Sequence, residues 1–408
     1  ERWAEPVNAL IARRDAALKK APEPRQAGAR SIFERVVTQV FPSGLASQFR
    51  QMAIRIDAPS AAERYETMAF PFTPGEDRLE VLEAEVIRAD GTRLRPELVG
   101  EQRDQGKSEG VYTLTAYRVV RFPSLLPGDL VHIQTRKDEI GSRNLFGDFF
   151  GVFFPISSDL DKSFVEAIVE APATRTLYHH AVGVAAPRVE RDGELQRLTF
   201  SAEDHPALVI EPNMPGYGDV GAWVSISTFS SWEALASWYR QLVQPQLEVP
   251  DDLAALVRQL VAGPPDADPT RELERKVALV HGWVVEKTRY VGIEFGIHGF
   301  KPYKVSEVVK RGYGDCKDKA SLLIALLRAV GVEAELVLVR TRDLGDLAGT
   351  PSPTSRASIS TSTPRPRPRV CESCPTSTRT RWSCASTRGR TPRRPSPASR
   401  CSRPRPTA

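Results

Sequence analysis

The stretch that decides the fold of the C-terminal half is Arg311-Gly312-Tyr313-Gly314-Asp315-Cys316-Lys317-Asp318-Lys319-Ala320. Two glycines predict a bend in the backbone, and Asp315 is a favourable N-cap residue. The segment that follows has apolar residues at helical spacing, namely Leu322, Leu323, Leu326, Leu327 and Val330. Gly331 stands where a left-handed C-terminal cap is expected. The sequence therefore predicts a buried helix with Cys316 in its first turn.

A cysteine at this end of a helix is a candidate nucleophile. The helix dipole and free backbone N–H groups favour the thiolate over the thiol there, and Lys317 and Lys319 add positive potential. The alternative is a structural cysteine that packs as a small hydrophobe. The charged neighbours, which include Asp315 and Asp318, are unlike a hydrophobic core, so the nucleophile is the favoured interpretation.

Together with residues 290–303 upstream, the motif Gly314–Leu323 is similar to the bacterial transglutaminase-like superfamily. More narrowly, the chain resembles the branch in which a β-rich domain of unknown function precedes the transglutaminase-like core. The resemblance is specific from Glu274 to Leu347 and extends over the N-terminal half by pattern only. It implies a papain-like core in which Cys316 attacks an amide or thioester carbonyl, with a histidine and an aspartate on later strands completing a triad. Peptide or protein substrates are implied, and no cofactor.

The histidine and the aspartate of that triad are missing from this sequence. The six histidines all precede Cys316: His132, His179, His180, His205, His281 and His298. A cysteine nucleophile needs a base, and the base is usually oriented by an acid. Among these histidines, His298 is the base candidate, because it lies in a glycine-flanked loop 18 residues before Cys316. The alternative for His298 is an exposed bystander.

The sequence changes character after Leu347. Residues 350–408 hold 13 Arg, 12 Ser, 11 Pro and 10 Thr, with a single acidic residue, Glu372. Such a segment has too little apolar surface to offset chain entropy, so a disordered tail is predicted for residues 348–408. It is either a genuine basic tail or a GC-rich gene read out of frame, and the abrupt change favours the frameshift.

Charge and cysteine content exclude several classes of protein. The tail contributes +12 to the overall charge of +5, which leaves −7 for residues 1–349. This acidic balance argues against specific nucleic-acid binding. Outside the tail Cys316 is the sole cysteine, which excludes a disulfide scaffold. No apolar run reaches the ~18–20 residues of a membrane-spanning helix.

The remaining sequence predicts an α+β protein in four parts. Residues 1–36 are predicted as a helical segment. Residues 37–225 alternate with a period of two and predict an antiparallel β-sandwich. Residues 226–347 predict helices and a short strand, the order of a papain-like transglutaminase core that is incomplete. The fourth part is the tail. The missing initiating Met indicates a fragment, so the compartment is open: periplasmic or exported if a signal precedes Glu1, cytoplasmic otherwise.

Several residues are secondary candidates. Trp283 and Tyr290 are candidates for the oxyanion site or the acyl pocket, with core aromatics as the alternative. Gly314, Asp315 and Asp318 are expected to support the cysteine turn. No metal site is expected, since adjacent histidines on a strand point to opposite faces, and the cysteines at 371 and 374 lack a second pair.

The sequence thus favours a transglutaminase-like cysteine enzyme that forms an acyl-enzyme and transfers it to water or an amine. The absence of a later histidine predicts impaired activity. The first alternative is a catalytically inactive binding or scaffold module, and the second is a nucleic-acid binder that uses the basic tail.

Overall fold

One large β-sheet organises the N-terminal half of the chain. The computed structural model describes residues 2–20, 28–103, 111–112, 114–141, 144, 147, 149–293, 295–339 and 358–362. The elements of this half are α1 (Val7–Lys20), β1 (Ala29–Val40), β2 (Ala46–Ile56), α2 (Pro59–Tyr65), β3 (Thr67–Phe72), β4 (Asp77–Ile87), β5 (Arg93–Leu94), β6 (Glu97–Arg103), β7 (Val111–Tyr112), β8 (Ala116–Arg121), β9 (Leu130–Glu139), β10 (Gly151–Pro155), β11 (Asp161–Pro172), β12 (Tyr178–Val182), β13 (Arg188–Asp192), β14 (Leu195–His205), α3 (Tyr217–Val220) and β15 (Trp223–Ser227).

The large sheet has eight strands in the order β13-β14-β11-β1-β2-β9-β4-β5. Two three-stranded sheets, β3-β8-β6 and β10-β15-β12, pack on one of its faces and enclose two apolar clusters. Helix α1 and the residues before it pack on the opposite face, with Leu10 fully buried against Ile32 and Phe33. Two layers of sheet around apolar side chains form a sandwich, as the alternating pattern predicts.

The first 36 residues differ from the sequence-based expectation. The helix ends at Lys20, and residues 29–36 belong to β1 rather than to a helical segment. Strand β1 also pairs in parallel with β11, whereas its pairing with β2 is antiparallel. Because β1 is central, side chains on both of its faces are buried, so its sequence lacks the alternation that reveals a strand.

Helices dominate the second half of the chain. Its elements are α4 (Trp232–Val243), α5 (Asp251–Leu260), α6 (Pro269–Lys287), β16 (Arg289–Tyr290), β17 (Gly292–Ile293), α7 (Val305–Arg311), β18 (Tyr313–Gly314), α8 (Cys316–Ala329), β19 (Glu335–Val339) and β20 (Ser358–Ser362). The predicted N-cap of α4 is present, because Ser231 Oγ accepts from the Ala234 N–H at 3.2 Å. Residues 322–327 of α8 are all buried, in a cluster shared with α5, α6 and α7. The fold is therefore α+β, with a β-rich N-terminal region and a helical core around α8.

One short parallel strand pair joins the two halves, and another holds the cysteine turn. β17 pairs with β7 from the N-terminal half, and β16 pairs with β18 immediately before α8. The Glu76 carboxylate adds a contact by accepting a hydrogen bond from the Gly296 N–H, and burial raises the pKa of this carboxyl. The β-rich region thus contacts the loop that precedes the cysteine motif.

The described part of the predicted tail departs from expectation. Residues 358–362 form β20, which pairs antiparallel with β19. The Ser-Ile-Ser-Thr-Ser sequence of β20 contains β-branched residues, which favour strands. The remainder of residues 348–408, including its four cysteines, lies outside the described residues. The described residues, up to Ser362, belong to one compact unit.

Among the helices of the described residues, none is long and apolar enough to cross a membrane.

Candidate active site

Cys316 is the first residue of α8, directly after a bent, hydrogen-bonded turn. Gly312 has a left-handed backbone with φ of 68° and ends α7. Its carbonyl accepts from the Arg289 N–H at 2.9 Å, and the Gly314 carbonyl accepts from the Val291 N–H at 3.1 Å. The position of Cys316 is therefore fixed by β16 on one side and by the helix core on the other.

A capping box fixes the start of α8. Asp315 Oδ1 accepts from the backbone N–H groups of Lys317 at 3.1 Å and Asp318 at 3.3 Å. In return, Asp318 Oδ2 accepts from the Asp315 N–H at 3.1 Å. Asp318 Oδ1 also accepts from the Tyr303 N–H at 2.8 Å, which ties α8 to the loop before α7. Asp315 and Asp318 therefore support the turn, the role expected of them.

Gly314 is required because Asp318 lies against it. A Cβ placed on Gly314 would lie 2.6 Å from the Asp318 Cβ, closer than real Cβ contacts occur. No left-handed φ is recorded for Gly314. Of the two glycines expected to bend the chain, only Gly312 has a left-handed backbone in this described turn.

The two lysines of the motif do not act as unpaired positive charges beside the thiol. The Lys317 side chain is 1% exposed and its ammonium is ion-paired with the Asp315 carboxylate. Lys319 Nζ donates to the Thr288 carbonyl oxygen at 2.6 Å. Two first-turn N–H groups are likewise occupied by Asp315. The positive potential expected at Cys316 is thus partly neutralised. This corrects the expectation from the sequence, because the order of charged residues does not show which of them pair.

Burial separates Cys316 from its neighbours. Gly314, Asp315, Lys317 and Asp318 are buried, whereas Cys316 is partly exposed. Burial and the nearby Asp315 carboxylate raise the pKa of the Asp318 carboxyl. Cys316 is therefore more exposed than the residues on either side of it, Asp315 and Lys317.

The two aromatic candidates have different environments. Trp283 packs against the apolar cluster beneath α8, which fits a core aromatic. Tyr290 is 49% exposed. In the β16–β18 pair it stands opposite Gly314, which precedes Cys316 by two residues. Tyr290 is therefore the better placed of the two to line a substrate pocket.

His298 is held in place rather than exposed as a bystander. It lies in a 3-10 turn, Gly296–Gly299, and its ring stacks on that of Tyr303 with centroids 3.9 Å apart. Its Nδ1 is 3.0 Å from the Lys301 carbonyl oxygen. A carbonyl can only accept, so Nδ1 carries the proton and Nε2 is left as the basic nitrogen. The Tyr303 N–H in turn donates to Asp318, so Tyr303 links His298 to the cap of α8.

Tyr239 of α4 is a site residue that sequence reasoning missed. It is 6% exposed, and the charges of Cys316, Asp315 and Asp318 act on its phenol. Burial, followed by these negative groups, raises the pKa of this phenol. In the sequence, Tyr239 belongs to a helical stripe with Leu235 and Val243 that is indistinguishable from a core face.

One further cluster has the composition of a metal site. A ligand atom from each of Glu83, Glu85 and His132 lies within 4.8 Å of the others in the large sheet. His132 Nδ1 lies 3.1 Å from Glu85 Oε1, and Gln51 Nε2 lies 3.0 Å from His132 Nε2. Arg93 forms an ion pair with Glu85. These contacts account for the cluster as a buried polar network.

Two family models match this chain. Residues 255–362 match the Transglutaminase-like superfamily, and residues 42–209 match a Domain of Unknown Function with solved structure (DUF3857). The first match begins in α5 and ends with β20, so it contains the cysteine turn and the strand in the predicted tail. A comparison with curated proteins finds no significant match.

Of the following three solved structures, the first supports the fold. A "putative protease" from Parabacteroides distasonis ATCC 8503 superimposes with a TM-score of 0.66 at 14% identity, covering 82% of this chain and 65% of its own. A "putative cysteine protease" from Cytophaga hutchinsonii gives a TM-score of 0.23 at 12% identity, covering 53% and 71%. An M1 zinc metallopeptidase from Deinococcus radiodurans gives 0.28 at 12% identity, covering 65% and 66%. The chain thus spans less than two thirds of the first of these proteins, and that likeness concerns the fold alone.

Proposed function

The chain belongs to the transglutaminase-like superfamily, and from this premise we propose that it is a cysteine enzyme acting on carboxamides of peptides or proteins. The observation that carries the proposal is the partial exposure of Cys316 at the start of α8, among buried neighbours. A capping box and a buried ion pair stabilise the turn that holds this partly exposed cysteine. Such an arrangement suits a nucleophile better than a packing residue.

The proposed reaction passes through an acyl-enzyme. The Cys316 thiolate attacks the carbonyl carbon, a C–S bond forms, and the carbonyl electrons move onto oxygen. When the tetrahedral intermediate collapses, the C–N bond breaks and the amine leaves with a proton from a general acid. Water or a second amine then attacks the thioester, which gives hydrolysis or amine transfer, respectively.

The proposed reaction needs a general acid, and the sequence does not supply an obvious one. In the family, a histidine after the cysteine is the general acid. No histidine follows Cys316 in this sequence. General acid–base help contributes ~10²–10⁴-fold in rate. We therefore propose that Cys316 is acylated by activated esters, whose leaving group needs no proton, and that amides turn over slowly.

Ester and amide substrates test this directly. The full chain would carry serine at the four tail cysteines, so that Cys316 is the sole thiol. With p-nitrophenyl acetate we expect a burst of about one equivalent of p-nitrophenolate and an acetyl group on Cys316 by mass spectrometry. A blocked glutaminyl dipeptide with hydroxylamine should react slowly. The Cys316→Ala variant should lose the burst; a burst that persists in it would rule out this nucleophile.

His298 decides whether the active site is incomplete. We expect His298→Ala to leave amide turnover at its low level, and His281→Ala, on the exposed surface of α6, serves as the matched control. If the wild-type chain is already active on amides and only His298→Ala abolishes that activity, an upstream histidine is the base. A gene with its frame restored near codon 348 should gain amide activity that Cys316→Ser removes.

A second candidate function rests on the same missing histidine. Without a general acid, the chain would serve as a catalytically inactive binding or scaffold module that retains the papain-like core. Peptide binding in the absence of any acetyl adduct on Cys316 would favour this alternative. Nucleic-acid binding rests on residues 350–408, which apart from 358–362 lie outside the described residues.

A further inference from the structure

We propose that His132 of β9 is a pH-sensitive latch for the N-terminal segment, residues 2–6. While the imidazole is neutral it holds this segment on the large sheet, and when the imidazole is protonated the segment is released. The inference concerns the β-rich region and is independent of the reaction proposed at Cys316. It rests on the hydrogen bonds around a ring that is 0% exposed.

The side-chain amide of Gln51 on β2 has a fixed orientation. Its Oε1 accepts from the Glu5 N–H at 2.7 Å, and its Nε2 donates to the Glu5 carbonyl oxygen at 2.9 Å. A backbone N–H only donates and a carbonyl only accepts, so exchanging the two ends of the amide would break both bonds. The Gln51 nitrogen is therefore also the donor to His132 Nε2, which lies 3.0 Å from it.

These contacts determine which nitrogen of His132 carries the proton. Its Nε2 accepts, because the Gln51 nitrogen donates to it. A second amide nitrogen, Nε2 of Gln134, lies 3.5 Å from the same ring nitrogen, and its 2.7 Å bond to Glu83 Oε2 identifies it as a donor too. Across the ring, Nδ1 lies 3.1 Å from Glu85 Oε1. A carboxylate accepts, so the single proton of this neutral ring is on Nδ1.

A second proton on the ring is incompatible with the bound segment. A protonated Nε2 would be a donor that faces the Gln51 donor. If the Gln51 amide turned its oxygen to the ring, its nitrogen would face the Glu5 N–H and its oxygen the Glu5 carbonyl, so both bonds to Glu5 would be lost. Buried groups left without partners are costly, so protonation favours the state in which residues 2–6 have left the sheet.

The segment covers an apolar part of the sheet. Trp3 packs against the buried side chains of Val37, Phe49 and Ile168. Its carbonyl oxygen accepts from Arg35 Nη1 at 2.7 Å. Release would therefore expose apolar surface on three strands, β1, β2 and β11, in response to acid.

The other charged groups on this face of the sheet titrate outside the range of a histidine. They are Glu83 and Glu85 of β4, Arg93 of β5, Arg55 of β2, Arg35 of β1, Arg13 and Arg14 of α1, and the Glu5 side chain. Arginine keeps its charge at every pH of interest. Burial raises the pKa of the Glu85 carboxyl, but its hydrogen bonds with Arg93 and His132 outweigh burial and lower that pKa. Carboxylates ordinarily titrate near about pH 4, whereas histidines change charge between about pH 5 and 8.

Hydrogen exchange measures the latch directly. The full chain would be compared at about pH 7 and about pH 5.5, within the range of histidine titration, after correction for intrinsic exchange and in buffer with EDTA to exclude bound metal. We expect protection of the Glu5 amide to fall by up to about 10-fold per pH unit, because release takes up one proton. A fragment from β11 serves as the internal reference and should keep its protection.

His132→Gln is the variant that separates the latch from other effects of acid. A glutamine oxygen in place of Nε2 accepts from Gln51 at every pH, so the segment should stay protected in acid. His179→Gln, at an exposed histidine of β12, is the matched control and should respond to acid like the wild type. Acid release that persists in His132→Gln would overturn the proposal, as would a wild-type chain whose Glu5 amide is equally protected at both pH values.

Spectra of ¹⁵N-histidine-labelled wild-type chain test the proposal even if His132→Gln does not fold. We expect the neutral Nδ1–H form of His132 at neutral pH, and proton uptake that coincides with the loss of protection at Glu5. A doubly protonated His132 in a chain whose Glu5 amide is still protected would contradict the latch.

Discussion

At the scale of single residues, Gly314 shows how a side chain can be excluded by a neighbour rather than by backbone conformation. The Asp318 Cβ occupies the space where a Gly314 side chain would stand. Asp318 cannot move away without giving up its hydrogen bonds to Tyr303 and Asp315. The capping box of Asp315 and Asp318 therefore requires a glycine at position 314.

We expect Gly314→Ala to destabilise the helical core by about 2 kcal/mol, because overpacking a filled site typically costs 1–3 kcal/mol. Gly282→Ala is the control. Gly282 lies within α6 with open space around it, so alanine there should stabilise by about 1 kcal/mol through helix propensity. Urea unfolding followed by tryptophan fluorescence would measure both variants. Equal stabilities for the two would contradict the crowding at Gly314.

At the scale of elements, the start of α8 is stabilised by a buried ion pair as well as by its capping box. Lys317 and Asp315 are each 1% exposed, and the Lys317 ammonium pairs with the Asp315 carboxylate. The same carboxylate caps two backbone N–H groups of the helix. Removing one charge of such a pair leaves the other buried without compensation.

Lys317→Met should therefore destabilise the chain by about 3 kcal/mol, the low end of the range for a broken buried pair. Lys319→Met removes the same charge from a half-buried side chain that binds the Thr288 carbonyl oxygen, and we expect a loss of about 1 kcal/mol there. The two variants would be compared by thermal and urea unfolding. A smaller loss for Lys317→Met than for Lys319→Met would show that the ion pair contributes little.

At the scale of the whole molecule, Glu34 of β1 links three strands of the large sheet through charge. Its carboxylate lies 2.6 Å from Arg50 of β2 and 2.7 Å from Lys162 of β11. Burial alone would raise the pKa of Glu34, but the two cations outweigh it and lower that pKa to about 2. The central strand is thus stabilised by an ionised carboxylate inside a sheet.

A lowered folded pKa means that this stability is present above the unfolded pKa of Glu34 and is lost as pH falls toward the folded one. Between about pH 4.5 and about pH 2 we expect the free energy of unfolding to fall by roughly 3 kcal/mol from Glu34 alone. Glu34→Gln should be less stable near neutral pH and should show a flatter dependence on pH in this window. Glu80→Gln, which removes an exposed carboxylate of β4, should match the wild type within about 1 kcal/mol. A wild-type slope that persists in Glu34→Gln would place the titrating group elsewhere.

Local patterns in the sequence determined the helix caps, the buried helix and most of the sandwich strands of this protein. The N-caps at Ser231 and Asp315, the left-handed Gly331 and the apolar spacing of α8 are all read from neighbouring residues, and the structure confirms them. The sandwich strands with one solvent-facing side were equally visible. Features of this kind depend on contacts within a few residues, so the sequence alone predicts them.

The tertiary structure decided what depends on distant partners. The sequence did not reveal β1, because this strand is buried on both faces. It did not reveal β20, because β20 pairs with a strand that is distant in the sequence. The burial of Lys317 and of Tyr239 depends on residues that are distant in the chain, which no spacing in the sequence encodes. The position of the nucleophile is thus a local property of the chain. Its electrostatic environment is set by helices that only folding brings together.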